Sequence, residues 1–129
     1  MITEDYVSFE IAKLLKEYGF NEPTLYYYLE DKYVPDGALL LFQHDGLACD
    51  NTGLASDKKF SAPTLQMAAK WLREKYNVHI WVEPSSSTAG LYNASVKQNW
   101  WNYCWSGYGY KSYERAVSAS IEYCLKNLI

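Results

Sequence analysis

The stretch Ser61-Ala-Pro-Thr-Leu-Gln-Met-Ala-Ala-Lys-Trp-Leu-Arg-Glu-Lys-Tyr-Asn-Val-His-Ile-Trp-Val82 carries two periodicities in immediate succession. Leu65, Ala68, Ala69, Leu72 and Tyr76 recur at helical spacing and form one apolar stripe, while Gln66, Lys70, Arg73 and Glu74 fall elsewhere. Ser61 is the expected helix cap, and Pro63 suits a first turn whose N–H groups have no intrahelical partner. Asn77 is the expected exit. Val78, Ile80 and Val82 then share one face of a strand whose other face carries His79 and Trp81. A helix that runs almost directly into a strand folds back on it, so a helix lying across a sheet is expected. Met67 and Trp71 flank the stripe and are expected to meet a neighbouring helix or a partner.

Working outward, Ser8 caps an expected first helix with Val7, Ile11, Leu14, Leu15 and Tyr18 apolar, ended by Gly19 and a returning Phe20. Strands are expected at 24–29 and 38–43, joined by a Pro35-Asp-Gly37 turn and paired antiparallel. The segment 44–59 is polar and turn-rich. An Asp45-Gly46 turn followed by a short hidden strand at 47–49 is the expected content. Beyond the central unit, strands are expected at 91–97 and 99–105, with Trp101, Tyr103 and Trp105 on one face and Trp100, Asn102 and Cys104 on the other. Ser106-Gly-Tyr-Gly109 reads as a glycine-punctuated exit. Ser112 caps a last helix with the stripe Tyr113, Val117, Ile121, Cys124 and Leu128. The expected fold is a single α+β domain over 1–129, in the order α-β-β-(β)-α-β-β-β-α, with a mostly antiparallel sheet and helices packed on one face. Residues 60–129 form an α-β-β-β-α unit. A helix followed by a hairpin in each half gives only a thin suggestion of internal duplication.

Composition bounds the function. The 129 residues are 49% hydrophobic and 21% charged, enough for a core without metals or disulfides. Net charge is −3 with a pI near 5.3, which disfavours nucleic-acid binding by a global field. Cys49, Cys104 and Cys124 make neither a disulfide framework nor a metal motif. With no signal peptide and no run of apolar residues long enough for a span, a cytoplasmic, non-membrane protein is expected. The Asn93-Ala-Ser95 sequon is then a chance match.

No catalytic, cofactor-binding or metal-ligating residue is assigned, so a non-enzymatic protein without cofactor is favoured. His44, Asp45, Cys49 and Asp50 lie close in sequence, which leaves a small enzyme or ligand binder using the 44–57 loop as an alternative. His79 alternates with apolar residues and reads as a satisfied cross-strand histidine. The α-β-β-β-α order looks like that of double-stranded-RNA-binding domains, a second alternative. The start of the last helix, Tyr110-Lys-Ser-Tyr-Glu-Arg115, has too few cations for it. Gly107-Tyr-Gly-Tyr110 faintly resembles the motif of RNA-recognition sheets, but reads as a turn with two packed tyrosines. The main signal is an aromatic fraction of 17%, with 13 Tyr and 5 Trp. Trp71, Trp81, Trp100, Trp101, Tyr103, Trp105 and Tyr108 form the candidate interaction surface, for a protein partner or self-association. Cross-strand packing of the same rings and a small-molecule or sugar platform are the competing readings.

The segments 6–23 and 61–80, the Tyr-rich strand after the first and the Ser112-Tyr-Glu-Arg-Ala-Val117 helix resemble a family of small uncharacterised proteins of Bacteroides-type gut bacteria and their phages. The resemblance covers nearly the whole chain. It implies no activity, cofactor or catalytic residue, and points to an accessory protein that contacts another macromolecule.

Overall fold

The computed structural model describes residues 2–31, 34–41, 51 and 58–129, which divide into two compact units, Met1–Thr64 and Leu65–Ile129. The α+β class, the element order and the antiparallel pairing are as expected. Among the described residues six strands form two three-stranded sheets.

In the first unit, helix α1 (Phe9–Glu17) begins where Ser8 accepts a hydrogen bond from the Ile11 N–H, 3.2 Å. It ends in a Schellman arrangement: Gly19 takes φ 88°, its N–H bonds the Lys16 carbonyl, and the Phe20 N–H bonds the Leu15 carbonyl at 2.8 Å. Phe20 is thereby folded into the core with Val7, Ile11, Ala12 and Leu15. Strand β1 (Tyr26–Asp31) is central, between β2 (Val34–Leu41) and β3 (Lys59–Ser61). Phe9 meets Tyr28 and Phe60 edge-on, and the Tyr28 hydroxyl donates to the Val7 carbonyl at 2.6 Å, tying helix entry to sheet.

Two expectations for the first unit are corrected. Residues 35–37 are not a turn, because β2 already begins at Val34, paired with Asp31; Pro35, lacking an N–H, is tolerated on an edge strand. Ser61 does not cap a helix: it closes β3 opposite Tyr27, its N–H held by the Asn51 side chain at 2.9 Å, and its buried hydroxyl has no partner among the described residues. Asn51 also donates to the Phe20 carbonyl at 2.7 Å, so one side chain joins the end of α1 to β3. The strand expected at 47–49 lies outside the described residues.

In the second unit, helix α2 (Leu65–Tyr76) starts three residues later than a Ser61 cap implies, and buries Leu65, Ala68, Trp71 and Leu72. Asn77, at φ 54°, turns the chain into β4 (Val78–Pro84). Strands β5 (Tyr92–Gln98) and β6 (Asn102–Tyr110) complete an antiparallel sheet in the order β4-β5-β6, and α3 (Tyr113–Asn127), capped by Ser112, packs with α2 on one face of it. Val78, Ala94, Val96, Val117, Ile121, Cys124 and Leu125 are the buried apolar centre. Strand β6 extends through Ser106-Gly-Tyr-Gly109, so those residues are not an exit turn.

Gly107 has a specific reason to be glycine. A Cβ there would lie 2.5 Å from Trp105 Cη2 and would overlap the Tyr110 hydroxyl. The Trp105 ring is fixed on its other side by stacking on Tyr123 of α3, centroids 5.0 Å apart and planes 14° from parallel. We therefore expect Gly107→Ala to lower stability in urea denaturation by about 1–3 kcal/mol, the usual cost of overpacking. Gly109→Ala has open space around it and should lose only about 1 kcal/mol, from its φ of 76°.

Candidate functional site

The candidate site is the sheet face of the second unit that α2 and α3 leave uncovered. Its composition follows from register. Val78, Ile80 and Val82 of β4 pair with Gln98, Val96 and Ala94 on the helix side; His79, Trp81 and Glu83 pair with Lys97, Ser95 and Asn93 on the other. Across β5, Ser95 pairs with Ser106 and Lys97 with Tyr103.

Two bulges in β6 sort its aromatic rings. Between the Lys97–Tyr103 and Val96–Trp105 pairs β6 has one extra residue, Cys104. Tyr103 and Trp105 are thus sent to opposite sides, although strict alternation places them together. A second irregularity, between the Ala94–Gly107 and Tyr92–Tyr110 pairs, contains Tyr108 and the left-handed Gly109, whose N–H bonds Asn93 Oδ1 at 3.3 Å. Tyr108 is left on the outer face.

The loop from β5 to β6 is the strained part. Asn99 and Trp100 take φ of 54° and 70°. Asparagine visits this region readily; a tryptophan there is an outlier costing on the order of 1–2 kcal/mol. The conformation lays the Trp100 ring on the His79 imidazole, centroids 4.8 Å apart. His79 Nε2 lies 2.9 Å from Asn77 Oδ1, and the Asn99 N–H donates to the Asn77 carbonyl at 3.0 Å. The two left-handed asparagines therefore brace each other and hold the His79–Trp100 pair at one end of the face. His79 is satisfied, as its alternation implies.

The fractional exposures divide the seven candidate residues: Trp81 66%, Trp100 67%, Trp101 92%, Tyr103 60% and Tyr108 73% are open, whereas Trp71 is 9% exposed. Trp71 is therefore removed from the surface, its ring edge-on to Tyr76 at 5.5 Å with Lys75 above it. Trp105 is removed as well: it is on the helix side, against Tyr123, because of the Cys104 bulge. Trp101 lies in the loop before β6, not in the strand. The expected face of Trp101, Tyr103 and Trp105 does not exist; the actual face is Trp81, Trp100, Tyr103 and Tyr108, with Trp101 at its margin. The bulges leave no periodic trace, though Gly109 and the paired Asn77 and Asn99 are sequence signals for left-handed backbone.

The middle column, Asn93, Ser95 and Lys97, is polar. It runs between rings on β4 and rings on β6, which stand about 10 Å apart at the ordinary strand spacing. Charge on the face is balanced: Glu83, bonded by the Trp81 indole N–H at 3.4 Å, lies toward one end and Lys97 toward the other.

Among the described residues no group of three or more His, Cys, Asp or Glu side chains converges as metal ligands, and no helix is long and apolar enough to cross a membrane. His44, Asp45, Cys49 and Asp50 lie outside the described residues. Burial raises the hydroxyls of Tyr28 and Tyr110, and that of Tyr6 with help from Tyr26 and Glu4; none of the three is on the aromatic face. Burial, with a smaller contribution from Cys104, pushes the Cys124 thiol up to about 12. Comparison of the chain with protein-family models, with curated proteins and with solved structures finds no match.

The thiol and the three tyrosines share one consequence. Each holds its proton in the folded state to a higher pH than in the unfolded chain, so its contribution is complete below the unfolded value and is lost as pH rises toward the folded one. Stability measured by urea denaturation should fall between about pH 9 and 12, and Cys124→Ala should flatten that decline. At pH 8 the native protein should leave Cys124 unmodified by iodoacetamide, as read by mass spectrometry of its peptides.

Proposed function

We propose that the chain is a non-enzymatic recognition module, and that the outer face of the β4-β5-β6 sheet binds a protein partner or a second copy. The observation that supports this reading is the collection of exposed Trp81, Trp100, Tyr103 and Tyr108 on one face, one of them held in place against a backbone cost. Large rigid aromatic rings are the side chains that supply most binding energy where proteins meet.

The cytoplasmic setting belongs to the same proposal and is supported by Cys104 and Cys124, both unpaired thiols. Likewise proposed is kinship with the small Bacteroides-type and phage proteins, carried by the sequence motifs alone. The second unit does have the α-β-β-β-α order of double-stranded-RNA binders, but the start of α3 offers Lys111 and Arg115 against Glu114. Two cations partly offset by a carboxylate release few counterions, which leaves protein recognition as the better-supported use of the unit.

A photo-crosslinking residue at position 81 or 108, introduced in cells that make the protein, tests the proposal. Discrete adducts are expected from both positions and none from position 115 on α3. Adducts of twice the chain's mass identify self-association. Equal, diffuse labelling from all three positions, or none, overturns the proposed surface.

A further inference from the structure

We infer that the edge of β4 pairs with the same edge of a second copy of the chain, antiparallel and centred on Trp81, so that two β4-β5-β6 sheets join into one. The contact is made by a strand edge and does not depend on what the outer face binds.

Backbone parity shows which groups this edge offers. The Ser85 N–H bonds the Leu91 carbonyl at 2.8 Å and the Asn99 N–H bonds the Asn77 carbonyl at 3.0 Å, continuing the β4–β5 register at its two ends. Hydrogen-bonded pairs recur at every second residue of an antiparallel ladder, so His79, Trp81 and Glu83 turn their N–H and carbonyl groups to β5. Ile80 and Val82 therefore turn theirs to the other side, where no described strand pairs with β4.

The edge lacks the usual protection. Edge strands are commonly shielded by shortness, by bulges or by proline. Strand β3 has three residues, β2 carries Pro35, and β6 has two irregularities. Strand β4 pairs with β5 over its whole length without a shift of register. Its side chains report the same opening: Ile80 and Val82 lie on the helix side but are only partly covered, whereas Val96, opposite Ile80, is fully buried.

The sequence of the strand selects the occupant. At one end Val78 is 1% exposed, and at the other Pro84 has no N–H, so the usable edge is His79–Glu83. A two-fold axis through the middle residue, Trp81, sets outward backbone groups against outward ones. Ile80 then meets Val82 of the second copy and exchanges both hydrogen bonds with it, and the axis repeats the exchange. The exposed Trp81 meets its own copy in the closer type of cross-strand pair. His79 meets Glu83. Lys97 stands beside His79 on β5, whereas Glu83 has the neutral Asn93 there, so each carboxylate enters a positive neighbourhood. Moving the axis to Ile80 or Val82 brings in buried Val78 or Pro84 and breaks these matches. An unrelated strand offers the same backbone groups without the matched side chains.

The paired stretch is short, and an interface below the standard size associates weakly. A dissociation constant between about 10 µM and 1 mM is expected at neutral pH.

Sedimentation equilibrium of the whole chain from about 10 µM to 2 mM tests the inference, and a monomer–dimer equilibrium is expected within that range. Val82→Pro removes an N–H that β5 does not use, so circular dichroism should match the parent while the dimer weakens at least about tenfold. Glu83→Lys and His79→Glu should each weaken it about threefold or more. An equimolar mixture of those two variants should restore it, because opposite charges then face each other across both pairs. The register is read by oxidation with glutathione disulfide: Trp81→Cys should form an 81–81 disulfide at least about ten times faster than Trp101→Cys, at the most exposed tryptophan, forms a 101–101 disulfide, as mapped by peptide mass spectrometry. A monomer up to about 2 mM, a dimer unchanged in a folded Val82→Pro variant, no recovery in the charge-swapped mixture, or 81–81 linkage no faster than 101–101 overturns the inference.

Discussion

Because β6 has one more residue than β5 between the Lys97–Tyr103 and Val96–Trp105 pairs, neighbouring aromatic rings leave the sheet on opposite sides. Trp105 goes inward and is clamped between Gly107 and Tyr123, a stack of the kind worth about 0.5–1.5 kcal/mol beyond the area it buries. Tyr103 goes outward and joins Trp81 and Tyr108. The inserted residue is thus common to the core and to the exposed face. Tyr123 strengthens the dependence by donating from its hydroxyl to the carbonyl of Cys104 itself, at 3.2 Å, so α3 grips the bulge as well as the ring it redirects.

The first unit rests on smaller devices of the same sort. Asn51 bonds both the Phe20 carbonyl and the Ser61 N–H, and Lys16 donates to the Lys59 carbonyl at 2.8 Å while lying 4.9 Å over the Phe60 ring. Strand β3 is only three residues long and gains little from its own ladder. Side-chain contacts from α1 and from Asn51 hold it beside β1, which explains why a three-residue strand persists.

What the sequence disclosed follows from how each signal is encoded. Helix α1 was legible at both ends, since Ser8, Gly19 and Phe20 act within a few residues of where they stand. The strand read at 78–82, which runs on to Pro84, and the cap of α3 at Ser112 were legible for the same reason. Ser61 misled because a serine before an apolar periodic run fits a cap as well as it fits a buried strand end, and only Asn51, ten residues away in sequence, makes the difference. Strand β6 was misplaced by three residues because Trp100 and Trp101 have strong strand propensity, yet their place in the chain is set by a reversal that depends on Asn77, twenty-two residues upstream of Asn99. The candidate site was half legible: an excess of aromatic rings shows in the composition, but which of them meet water is decided by bulge parity, a tertiary property.

The left-handed Trp100 also has a meaning for how this chain responds to mutation. At that position glycine or asparagine satisfies the backbone better than tryptophan, so random substitution and selection for stability alone would push the residue out. A tryptophan kept there works against the folding equilibrium. Laboratory evolution of the gene under heat selection, without any demand for its activity, would then be expected to discard Trp100 early, while Trp105, which packs on Tyr123 from the helix side of the sheet, stays. The order in which the two tryptophans are lost would separate what the molecule needs in order to fold from what it needs in order to act.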